Sequence, residues 1–175
     1  MSVPEQRGAD VAFAGGRPRC TRASLRAPSA GSALVPRTVL VIEDEQSIRD
    51  ILAELFDVDD NRTHVAGTLD EAKAALAERA YDLIVTDIRL GGKRDGGLQA
   101  MAASGLLSPD ATVIVLTAYP DDDNRHASLR LGATHFLEKP VDLCTIASLA
   151  SRAGVGSAIF PPTTRAGATT GLGRG

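Results

Sequence analysis

From Thr38 to Arg152 the chain alternates short apolar, β-branched runs with stretches whose apolar residues recur at helical spacing, and this alternation limits the folds open to it. Thr38–Ile42, Leu83–Val85 and Thr112–Leu116 are apolar runs of the kind that form strands buried on both faces. Thr63–Ala66 is a weaker strand candidate, and Thr134–Leu137 is the last strand. Between them, Ile48, Ile51, Leu52 and Leu55 mark one helix face, and Leu69, Ala72, Ala75 and Leu76 another. The Gly-rich segment 91–97 leads into a helix carried by Leu98, Met101 and Leu106. Ala127–Leu131 ends at Gly132, a natural left-handed stop, and Asp142–Arg152 forms a last short helix. Five strands alternating with five helices predict an α/β domain: a doubly wound, five-stranded parallel sheet with helices on both faces. Right-handed crossovers fix its hand.

Residues 1–36 and 153–175 interrupt this pattern with Gly, Pro, Ala, Ser, Thr and Arg and show no sustained period; both are expected to be disordered tails flanking a domain at 37–152. The body from Arg37 to Arg152 carries 12 Lys/Arg against 20 Asp/Glu, a net of −8, while the first tail is mildly basic. An acidic body lacks the clustered positive charge that binding to a phosphate backbone requires, so direct DNA binding by the domain is not expected. No run approaches the ~20 apolar residues of a membrane span. With no secretory pattern at the start, a cytoplasmic location without membrane contact is the expectation. Cys20 and Cys144 are too few and too far apart for a disulfide framework or zinc site; Cys144 reads as a core thiol.

In a parallel sheet of this type, ligands bind beyond the carboxyl ends of the strands. Glu43 and Asp44 follow the first strong strand, Asp87 the run Val85-Thr86, Thr117 the run Val115-Leu116, and Lys139 the run Phe136-Leu137 with Glu138 between. Three carboxylates, a hydroxyl and an ammonium should therefore converge on one edge. Carboxylates so placed repel one another unless a cation joins them. All-oxygen ligation suits Mg²⁺, which keeps several waters and pairs one or two carboxylates with phosphate oxygens. Asp87 then reads as a carboxylate nucleophile toward phosphorus, with Thr117 and Lys139 stabilising the transferring group.

Val39–Glu45, Leu83–Ile88, Val115–Ala118 and the stretch from Gly132-Ala133 to Glu138-Lys139-Pro140, in that order, resemble the receiver domain of bacterial two-component response regulators. The resemblance covers roughly Arg37 to Arg152. It implies a flavodoxin-like sheet of order 2-1-3-4-5 and a stand-alone receiver that accepts a phosphoryl group on Asp87. It implies Mg²⁺ held by Glu43, Asp44, Asp87 and the backbone carbonyl of Arg89, contacts from Thr117 and Lys139 to the phosphoryl group, and a cis Lys139-Pro140 bond. Thr117 and Phe136 would form the switch that relays the charge change. A sensor histidine kinase or histidine phosphotransfer protein would be the donor. The receiver would catalyse its own phosphotransfer and dephosphorylation without being a turnover enzyme. Some 23 residues follow Arg152, too few for a helix-turn-helix or catalytic module, so output is expected through a downstream protein target meeting the last two helices and the Phe136 strand; a homodimer is compatible with this.

The sequence departs from the family at Gly91, where many members carry proline, in a longer 91–97 loop, in Phe136 for the commoner tyrosine, and in a modest last helix (Cys144, Ile146, Leu149). Two other functions compete. A non-phosphorylated docking or dimerisation receiver is one. An Asp-dependent phosphohydrolase of the haloacid-dehalogenase type is the other, and it wants a second acid where Arg89 stands. Asp121-Asp122-Asp123 precedes a helix, and capping explains it better than a second metal site.

Overall fold

Each expected strand forms, several with extra residues at their ends. The computed structural model describes residues 36–160. Within them β1 (Arg37–Ile42), β2 (Asn61–Ala66), β3 (Leu83–Asp87), β4 (Thr112–Thr117) and β5 (His135–Glu138) alternate with α1 (Gln46–Phe56), α2 (Leu69–Glu78), α3 (Gly96–Leu107), α4 (Asp122–Arg130) and α5 (Leu143–Arg152). All pairings are parallel, in the order β2-β1-β3-β4-β5 expected above. The weak periodicity of β2 matches its place at an edge, where only Ala66 is fully buried.

Strand alternation divides the core into two layers. Leu40, Ile42, Ile84, Val113 and Val115 face α2 and α3, where Leu69, Ala72, Leu76, Ala100 and Met101 meet them. Val39, Val41, Leu83, Val85, Ile114 and Leu116 face α1 and α5, meeting Leu52, Leu55, Phe56, Ile146, Ala147 and Ala150. Each such aliphatic or aromatic side chain taken fully out of water contributes ~1.5–3 kcal/mol, so the two layers hold the strand ends in fixed register. α4 is tied on more lightly: Ser128 is its one buried residue. Its start is capped by the Asp121 carboxylate, which accepts the Asn124 N–H at 2.7 Å, as the capping reading of the Asp121–Asp123 run requires.

Four expectations need correction. Leu106, read with Leu98 and Met101 as carrying α3, is 84% exposed, while Ala100, Met101 and Ser104 point inward. That helix is apolar on all sides, so its period does not select a face. Ile51 similarly turns outward on α1, and Phe56 takes the buried place. The folded chain also continues past Arg152. Val155 is 1% exposed, the Ala158 N–H donates to the Leu55 carbonyl at 2.8 Å, and Asn61 Nδ2 donates to the Gly156 carbonyl at 2.9 Å. Residues 153–160 therefore form a strap over the end of α1, placed by one buried valine and Phe160 rather than by any period. The rest of both expected tails lies outside the described residues. Cys144 is half-buried on α5, and among the described residues no cysteine is free, so the core-thiol reading does not hold.

Candidate functional site

Glu43, Asp87 and Lys139 meet because their strands place them on one parity. β1 pairs Val41 with Val85, β3 pairs Asp87 with Leu116, and β4 pairs Leu116 with Leu137. Two residues beyond Val41, Val85 and Leu137 stand Glu43, Asp87 and Lys139, all at the carboxyl edge of the sheet. Lys139 Nζ lies 2.6 Å from Glu43 Oε2 and 2.7 Å from Asp87 Oδ2. The other Asp87 oxygen, Oδ1, accepts the Arg89 N–H at 3.2 Å. The Lys139 N–H donates to the Thr117 carbonyl at 2.7 Å, which fixes the root of the lysine against β4, and the Lys139-Pro140 bond is cis, as expected.

Thr117 falls on the opposite parity, in line with Val113 and Val115. Its fully buried hydroxyl oxygen accepts the Tyr119 N–H at 3.0 Å, and among the described residues no carboxylate takes its proton. Phe136 pairs with Val115, so its ring and the Thr117 side chain lie on the same face of the sheet. Phe136 is partly buried against the α2–α3 layer, with the Arg125 guanidinium 5.6 Å from its ring centre.

The loop after β3 is more regular than its length implies. Leu90 and Lys93 exchange both backbone hydrogen bonds, at 3.2 and 3.0 Å, around Gly91 and Gly92, whose φ values are +58° and +77°. This is a two-residue hairpin turn of the kind that needs φ > 0 at both central positions, and it accounts for glycine where proline is common. The turn aims the Gly91 N–H at Asp44 Oδ2, 2.9 Å away. Further on, Gly97 starts α3 against the backbone of Asp87: a Cβ there would stand 1.8 Å from the Asp87 carbonyl oxygen. The loop is thus pressed onto the site at both ends. Across its mouth the Arg89 guanidinium covers the Tyr119 ring.

Burial is the largest influence on the Glu43 carboxyl and raises its pKa above the ordinary range, while the Lys139 hydrogen bond and charge oppose this. For Lys139, burial acts to lower the pKa, but hydrogen bonds and charges from Asp87 and Glu43 together outweigh it and the net shift is upward. Lys139 is therefore a firm cation between two acids. Among the described residues no group of three or more His, Cys, Asp or Glu side chains gathers tightly enough to hold a metal by itself. Lys139 draws Glu43 and Asp87 together, and Asp44 turns to Gly91. Three carboxylates against one ammonium nevertheless leave a formal charge of −2 at the edge, all of it on oxygen. That donor set fits Mg²⁺ with most of its waters retained better than a cation needing a full cage of side chains.

Of the residues expected at the site, Glu43, Asp87 and Lys139 are brought into direct contact, Thr117 lies alongside, and Asp44 is linked through Gly91. Sequence reasoning missed Tyr119 and the bond from Gly91 to Asp44. The Gly-Gly dipeptide carried a hairpin signal, whereas Tyr119 has no local signature.

The fold and the edge it presents define a flavodoxin-like α/β domain with a strand-end acidic site. The response regulator receiver domain matches residues 39–150, and the chain belongs to that family, the receiver domains of two-component systems. The photosynthetic apparatus regulatory protein RegA of Rhodobacter capsulatus is 32% identical over 127 residues, covering 72% of this chain and 66% of RegA. The phosphate regulon transcriptional regulatory protein PhoB of Pseudomonas aeruginosa is 30% identical over 107 residues, covering 61% of this chain and 47% of PhoB. The chain thus spans only part of these relatives' length. Among solved structures, a response regulator from Burkholderia pseudomallei with a phosphorylated aspartic acid, calcium ion and citrate superposes with a TM-score of 0.60 at 28% identity, covering 67% of this chain and 69% of that one. The non-phosphorylated HemR receiver domain from Leptospira biflexa gives 0.60 at 27%, covering 67% and 93%. Among the described residues no helix is long and apolar enough to cross a membrane.

Proposed function

We propose that Asp87 is the phosphoacceptor of this receiver, and that phosphorylation there switches the contacts the domain makes with a protein target. The observation that carries this reading is the pairing of Asp87 with Lys139 at 2.7 Å at the open edge of the sheet, with the Thr117 hydroxyl oxygen at the end of the neighbouring strand. One Asp87 oxygen forms a bond to phosphorus as the bond to the donor's leaving group breaks. The electron pair departs with that group, and an acyl phosphate remains. Later attack of water on phosphorus returns the carboxylate and releases inorganic phosphate. Lys139, freed from Asp87 by this step, turns its charge to the phosphoryl oxygens, and Thr117 donates its hydroxyl proton to one of them. Glu43, Asp44, Asp87 and the Arg89 backbone carbonyl would hold Mg²⁺, whose charge offsets that of the incoming phosphoryl group.

Phe136 shares a sheet face with Thr117, so movement of Thr117 toward the phosphoryl group opens space that the ring can enter. The surface altered is that of α4, β5 and α5. This is a two-state population shift biased by a local change of charge. A sensor histidine kinase or a histidine phosphotransfer protein is the donor on this reading. Intact mass after incubation with acetyl phosphate and Mg²⁺ tests it. A phosphoryl adduct in wild type, absent from Asp87→Asn and lost with chelator, is expected. A folded protein that takes no adduct would refute the reading and leave a docking role.

A further inference from the structure

The acidic pair at the head of β1 is tied from beneath by a group that the phosphotransfer reading leaves unused. Arg49, in the first turns of α1, donates from Nη1 to the Glu43 carbonyl at 2.7 Å and to the Asp44 carbonyl at 3.2 Å. Two consecutive carbonyls gathered on one nitrogen fix both peptide planes, and with them the directions in which the two carboxylate side chains leave the backbone. The space the guanidinium occupies is made by another turn. A Cβ on Gly67, just past β2, would stand 2.8 Å from Arg49 Nη1 and 3.3 Å from its Cζ. Gly67 is itself held by its N–H donating to Glu71 Oε2 at 2.7 Å. Arg49 is therefore bonded to the turn after β1 and packs closely against the turn after β2.

We infer that Arg49 is a positioning residue for the divalent cation: it acts through the backbone of Glu43 and Asp44 and touches neither metal nor phosphoryl group. This inference rests on the Mg²⁺ site proposed above. It opposes the plain electrostatic expectation, because a guanidinium beside a cation site repels the cation, and on charge alone its removal tightens binding. Outer groups that orient metal ligands typically account for ~10–100-fold in metal affinity, which sets the scale here.

Mn²⁺ affinity, read as free Mn²⁺ by electron paramagnetic resonance, separates the two accounts. Arg49→Met should weaken binding about tenfold. Arg49→Lys, which keeps the charge and a single nitrogen donor on a long stem, should restore most of it. Gly67→Ala keeps Arg49 but pushes the end of its flexible side chain aside, so this variant should fold and still weaken Mn²⁺ binding. It decides the matter if Arg49→Met fails to fold in a far-ultraviolet circular dichroism check. Equal or tighter binding by folded Arg49→Met, or unchanged binding by Gly67→Ala, overturns the inference. Wild type that binds no Mn²⁺ overturns the metal reading itself and this inference with it.

Discussion

The Arg89 guanidinium lies 3.3 Å from the centre of the Tyr119 ring, joining the loop after β3 to the loop after β4 at the carboxyl edge of the sheet. Tyr119 is 51% exposed, which places the pair in the range of ~0.5–1 kcal/mol found for cation–π contacts open to water. A double-mutant cycle of Arg89→Ala and Tyr119→Ala in urea unfolding should return a coupling of about that size. Strict additivity would show that the two loops are not energetically joined.

Lys139 balances two acids, one of which, Glu43, is 2% exposed. Removing one partner of a buried pair costs ~3–5 kcal/mol, and the partial exposure of Lys139 reduces this. In metal-free buffer Lys139→Ala should lose about 2–3 kcal/mol by denaturant unfolding. Mg²⁺ should raise the Tm of the variant more than that of wild type, since the cation then supplies the missing charge. A variant whose Tm is indifferent to Mg²⁺ would contradict this.

Asp82 predicts part of the acid limb of stability. Burial acts to raise its pKa, but the Thr38 N–H at 2.8 Å, Arg37 Nη1 at 2.6 Å and the Thr38 hydroxyl at 2.9 Å together bring it below the ordinary value. A carboxyl depressed in the folded state releases its proton more readily there than in the unfolded chain. Its stabilisation is therefore complete above the unfolded pKa of ~3.9 and is lost as pH falls through the lower, folded value. Asp82→Asn should cost about 1–2 kcal/mol at pH 7 and should flatten the loss of stability below pH ~4. Urea midpoints measured from pH 7 to 2.5 check both the size and the slope.

The strap after α5 gives a prediction about length. A chain ending at Arg152 loses the burial of Val155 and leaves the Leu55 and Asn61 groups without their partners at Ala158 and Gly156. One buried valine and two hydrogen bonds amount to about 2.5–6 kcal/mol. Thermal melts of the shortened and full chains should differ accordingly, with the circular dichroism of the sheet unchanged. An identical Tm would mean that the strap contributes nothing.

The sheet was legible because each of its central strands is buried on both faces. A continuous apolar, mostly β-branched run such as Val39–Ile42 or Val113–Leu116 has no comfortable alternative. The position of Asp87 followed from the same kind of run, since a polar residue at the end of a buried strand must lie at its carboxyl edge, whereas Lys139 follows the half-buried edge strand β5 and was placed by the alternation of elements. Leu106 was misplaced because α3 is apolar all round, and the strap was missed because a single buried valine leaves no periodic trace.

The sequence alone thus determines the order of elements, the edge at which the acids gather and the glycines on which the loops turn, because these depend on local burial and backbone freedom. Only the tertiary structure decides that Lys139 rests between Glu43 and Asp87, that Thr117 faces the other layer beside Phe136, that Gly91 holds Asp44, and that Arg49 reaches back to two carbonyls. Those contacts join residues far apart in the chain or on different loops, and their geometry is set by strand register and parity across the sheet.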